Sequence, residues 1–144
     1  MSPKLMMMNF KYSLLLFVLV LFASCQTSTT SDAGKVEKGM IKVAIFYPNE
    51  EGKTFDMDYY ADKHMPMAAS LFGDHLKAMS IDKGLTGATA DLPASYVAIG
   101  YFFFADIATM QEQMGANGEK LRADVPNYTN IQPVLQVSEV QRPE

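Results

Sequence analysis

The chain has no tryptophan, one cysteine and two histidines among its 144 residues. A lone cysteine cannot form an intramolecular disulfide. His64 and His75 lack the spacing of two ligands on one helix, and no further thiol is present to complete a zinc set. Asp56, Asp58 and Asp62 do not form the alternating loop of a calcium site. No G-x-G-x-x-G joins a strand to a helix, and no G-x-S-x-G elbow occurs, so neither a dinucleotide fold nor an α/β-hydrolase is indicated. No cofactor and no metal is expected. Basic residues are also scarce, 12 against 16 acidic, for a net charge of −4. The first 24 residues hold Lys4 and Lys11 and no acid, so the remainder is more acidic still. An acidic chain without a Lys/Arg stripe is a poor nucleic-acid ligand.

What is present begins with an address. MSPKLMMMNFKYS is polar and positively charged, and LLLFVLVLFA (14–23) is a short apolar run. A membrane span needs about 20 apolar residues, so this run reads as the core of a signal peptide over residues 1–24. It ends in FASC, which resembles the bacterial lipobox, with Phe22 where Leu is usual. The expectation is a chain lipidated at Cys25 and held at a membrane of the bacterial cell envelope, periplasmic or on the outer membrane. The alternative is an ordinary cleaved signal with an incidental cysteine. QTSTTSDAGKVEKG (26–39) is Ser/Thr-rich and lacks aromatics, so residues 25–39 read as a lipidated cysteine on a flexible tether.

The folded domain is placed at residues 40–142. MIKVAIFYP (40–48) has the β-branched and aromatic content of a strand. Asp56 is placed to cap a helix from Met57, with Met57, Tyr60, Ala61, His64, Ala68 and Leu71 at helical spacing and Gly73 as its end. HLKAMSIDK (75–83), YVAIGYFFFA (96–105) and VLQVSEV (134–140) read as further strands. Asp106 caps a second helix, IATMQEQM, which GANG is expected to break. The order is β-α-β-β-α-β, an α+β ferredoxin-like fold with a four-stranded antiparallel sheet and both helices on one face.

In the third strand Tyr96, Ala98, Gly100, Phe102 and Phe104 alternate with Val97, Ile99, Tyr101 and Phe103, so both faces are apolar. Two helices cover one face. A second copy, sheet on sheet, is the economical cover for the other, and a homodimer is expected rather than a monomer with an exposed aromatic face.

MIKVAIFYPNEEGKTFDMDYYADKHMP, GLTG, PASYVAIGYFFF and ADVPNYTNIQPVLQVSEV resemble EthD-family proteins over about residues 40–140. The resemblance implies a dimeric α/β barrel and an oxidoreductase or reductase label. Related barrels also include cofactor-free oxygenases, cyclases, isomerases and decarboxylases, so it implies fold more than reaction. A lipid anchor is not a usual family feature.

Within DYYADKHMP, Tyr60 stands one turn before His64, and Pro66 should kink the helix or restart it. Pro66 should also push Met65 out of helical dihedrals. A freed carbonyl could then hold one imidazole nitrogen and leave the other for a ligand. His64 is read as a catalytic acid/base with Tyr60 as its partner, or else as a structural tie at the kink. Tyr128, Asp124, Phe102 and Phe104 are read as substrate-binding, with Asp124 a candidate to orient His64. Asn127 is read as a turn residue. The two functional readings are an enzyme acting on a small hydrophobic, aromatic or carbonyl-bearing molecule, and a non-catalytic tethered dimer that binds such a molecule.

Overall fold

The computed structural model describes residues 34–143. The expected signal peptide, Cys25 and the expected tether up to residue 33 lie outside the described residues. Strand β1 (Ile41–Pro48) leads to the helical turn α1 (Met57–Tyr59), a π-helical turn (Tyr60–His64) and α2 (Met65–Phe72). A 3-10 turn (Gly73–His75), β2 (Leu76–Lys83), β3 (Tyr96–Phe104), α3 (Ile107–Asp124), a second 3-10 turn (Val125–Asn127) and β4 (Val134–Glu139) complete it. The sheet order is β2-β3-β1-β4, antiparallel throughout. This is the expected ferredoxin-like α+β fold.

The caps form as read. The Asp56 carboxylate accepts from the Tyr59 amide at 2.9 Å, and that of Asp106 from the Thr109 amide at 2.8 Å. Each satisfies an amide that has no partner within the helix. The proline acts differently from expectation. The Met65 amide bonds back to the Tyr60 carbonyl, five residues away, and Met65 keeps helical dihedrals (φ −67°, ψ −40°). The widened turn takes up the extra residue, and Pro66 falls in the first turn of α2, where its missing N–H costs nothing. The buried stripe becomes Tyr60, His64, Met65, Ala68 and Phe72; Leu71 is only partly buried.

Three boundaries are corrected. GANG does not break the second helix. α3 runs for 18 residues through Gly115 and Gly118, and Met110, Gln113, Gly118 and Leu121 are buried along it. A helical glycine costs about 1 kcal/mol relative to alanine, which burial of this face outweighs. His75 belongs to a 3-10 turn rather than to β2. The last tether residues are tied down: Gly39 N–H donates to the Val140 carbonyl, and Val140 N–H to that of Met40, both at 2.8 Å.

The core lies between one sheet face and the helices. Val43, Ile45 and Tyr47 of β1 and Ala98, Phe102 and Phe104 of β3 meet Tyr60, Met65, Ala68, Phe72, Met110 and Leu121. Phe72 packs edge-on against both Phe102 and Phe104. The opposite face carries Phe46, Ile99, Tyr101 and Phe103, following the alternation of β1 and β3. At the edge strand β4, Val134, Leu135 and Val137 are about half exposed.

Candidate functional site

His64 closes the π-turn and is buried. Its ring lies stacked on that of Tyr60, with centroids 5.5 Å apart and an interplanar angle of 17°. Its Nδ1 is 2.8 Å from Oδ2 of Asp124, the last residue of α3. No backbone carbonyl takes the expected role of holding the imidazole; a carboxylate from the other helix does.

Asp124 is itself held. Its Oδ1 accepts from the Tyr59 hydroxyl at 3.0 Å and from Asn127 Nδ2 at 2.8 Å. Partial burial pushes its pKa up, but the hydrogen bonds from His64, Asn127 and Tyr59 outweigh this, and the group stays below its ordinary value. Asp124 is therefore a carboxylate at neutral pH and can only accept. That fixes the tautomer of a neutral His64: Nδ1 carries the proton, and Nε2 is left as the acceptor.

Nε2 points to the Tyr128 hydroxyl at 3.4 Å, long for a hydrogen bond. That hydroxyl is also 2.7 Å from the Tyr47 hydroxyl, and Tyr47 in turn meets Tyr60. Burial pushes the pKa of all three phenols up, so they remain protonated donors at neutral pH. Gly100 of β3 gives Tyr60 its room, since a Cβ there would collide with the Tyr60 hydroxyl.

His64, Tyr128, Tyr47 and Tyr60 form one wall of a cavity of about 440 Å³ between α3, the sheet and the segment before β4. Ile45, Phe102, Leu121, Ile131 and Leu135 supply apolar walls, and Arg122 and Gln132 also border it. Apolar walls with a few convergent polar groups are the usual form of a small-molecule site. Among the described residues no cluster of His, Cys, Asp or Glu is arranged to hold a metal ion.

The EthD domain family matches residues 50–132. A crystal structure of an EthD-like protein from Ralstonia eutropha is 39% identical, with 74% of this chain and 97% of that chain covered and a TM-score of 0.68. This chain belongs to the EthD family. An EthD-family protein from Bacillus halodurans shares the fold at 16% identity, with 69% and 97% of the two chains covered and a TM-score of 0.56. No curated protein matches the chain.

Within this EthD domain, His64, Tyr60, Tyr128 and Phe102 border one cavity. Asp124 meets His64 but does not line the cavity, so its place is behind the imidazole rather than against a ligand. Phe104 is corrected: it is fully buried against Phe72 and does not reach the cavity. The Tyr60 hydroxyl turns toward Tyr47 and Gly100, not toward His64. Tyr47, Tyr59 and Arg122 were not singled out in the sequence, and Asn127 was read as a turn residue. Tyr47 was detectable as a hydroxyl on the inward parity of β1, in line with Val43 and Ile45.

Proposed function

We propose that this EthD-family protein binds a small, largely apolar molecule in the cavity and uses His64 as acid and base upon it. The observation that supports the reading is the run of contacts from Asp124 through His64 to Tyr128, the last two of which border the cavity. Asp124 holds the Nδ1 proton, which leaves the Nε2 lone pair on the cavity side. There it can take a proton from a carbon beside a carbonyl while the Tyr128 hydroxyl donates a hydrogen bond to the developing oxyanion. The imidazolium, stabilised by Asp124, then returns the proton to the substrate, and the balance is an isomerisation or exchange. Oxidoreductase chemistry of the kind the family resemblance implies would need, beside this proton-transfer pair, a co-substrate that takes or gives the electrons. Tyr60 supports the imidazole plane by stacking.

The second reading, a non-catalytic binding module, draws on the burial of His64 and on both its nitrogens having partners within the protein. Deuterium exchange beside the carbonyl of small aryl ketones such as acetophenone, followed by NMR in D₂O, separates the two. The protein should accelerate exchange, and His64→Asn should lower that rate by about 100-fold or more. Saturable ketone binding without acceleration would leave the binding module.

The reading also includes the cell-envelope anchor and the homodimer. The lipobox-like FASC supports attachment through Cys25. Mass spectrometry of the membrane-extracted protein should show a lipidated chain beginning at Cys25, and Cys25→Ala should abolish that species. An unmodified chain starting downstream would remove the anchor from the proposal. The aromatic second face and the half-exposed β4 support pairing with another copy.

A further inference from the structure

Arg122 stands in the last turn of α3, is exposed, and borders the cavity. No carboxylate pairs with it among the described residues. Its guanidinium lies back over Gly118, one helical turn earlier: a Cβ on Gly118 would come within 3.2 Å of Nη1. Gly118 borders the same cavity, so the missing side chain leaves the guanidinium room beside the opening. The lining contains no aspartate or glutamate. In a chain of net charge −4, this is a cavity whose one permanent charge is positive.

We propose that the ligand of this cavity carries a carboxylate, held by Arg122 at the mouth, with its apolar body between Phe102, Leu121 and Ile131. Resting on the reading of the cavity as a ligand site, this narrows the substrate class to small aryl or branched aliphatic acids. The planar guanidinium suits a carboxylate in two-point contact. Gln132, also on the lining, offers an amide donor to the same group. Anchoring the acid at the mouth would direct the other end of the molecule toward His64 and Tyr128.

The test uses the full protein and two matched probe pairs, benzoate with benzamide and 3-phenylpropionate with 3-phenylpropionamide. Dissociation constants are measured by calorimetry or ligand-detected NMR. Each acid should bind about tenfold more tightly than its amide, as expected for a charge-assisted contact. Arg122→Gln should erase that preference by weakening the acids while leaving the amides as before, and Arg122→Lys should keep part of it. Equal binding of acid and amide, a preference that survives Arg122→Gln, or no binding of either pair at millimolar concentration would each overturn the assignment. The acid–base reading stands or falls separately. An acid preference that depends on Arg122, in a protein that accelerates no exchange, supports the carboxylate site and counts only against His64 as a catalyst.

Discussion

Phe102→Asp is expected to leave the domain unfolded. Phe102 is buried among Phe72, the inward residues of β1 and the cavity wall. Truncating such a ring costs about 3–5 kcal/mol, and the carboxylate adds the cost of a buried group with no partner. A domain of this kind holds about 5–15 kcal/mol in total. Far-ultraviolet circular dichroism should show the loss directly. Ile99→Asp, on the opposite face and only partly buried in the single chain, should keep the domain folded and instead separate the proposed dimer. Sedimentation at low micromolar concentration should then read the monomer mass where the parent reads twice that mass. A parent that already sediments as a folded monomer would end the dimer proposal.

Gly100→Ala should also destabilise the domain, although it adds a single methyl group. In most strands this change gains about 0.5 kcal/mol by restricting the unfolded chain. Here the new Cβ occupies the place of the Tyr60 hydroxyl, and Tyr60 is almost wholly buried among Tyr47, Phe55, His64 and Tyr128. Moving that ring costs about 2–3 kcal/mol of overpacking, which decides the sign. The melting temperature should fall by about 10 °C. Adding Tyr60→Phe to Gly100→Ala should recover part of the loss, because it removes the colliding oxygen. A melt within about 2 °C of the parent would mean that the tyrosine cluster yields freely.

The strands were legible because hydrophobic parity is local: Val43, Ile45 and Tyr47 declare one face of β1 and Ala44 and Phe46 the other. The helix caps were legible for the same reason. The continuity of α3 was not, because Gly118 is kept in the helix by what packs around it rather than by its own preference. The meeting of His64 with Asp124 joins residues 60 apart in sequence. Nothing near either one announces it, although Asp124 was a candidate. Phe102 and Phe104 share a parity, yet only Phe102 reaches the cavity. What separates them is their place along β3: Phe104 lies at the strand's end opposite Ile41 and Leu76, whereas Phe102 lies opposite Val43, two residues nearer the cavity-lining Ile45.

The π-turn makes segment length part of the site's chemistry. Each residue of a regular helix advances the chain by about 100°. Deleting one residue between Tyr60 and Met65 would restore ordinary helix and turn everything before it by about that angle relative to α2. Tyr59 would swing away from Asp124, and Tyr60 from its niche at Gly100, with every side chain still present. The surplus residue thus acts as a phase setting. Substitutions along this stretch can be graded one by one, whereas a change of count alters several contacts of His64 and Asp124 together.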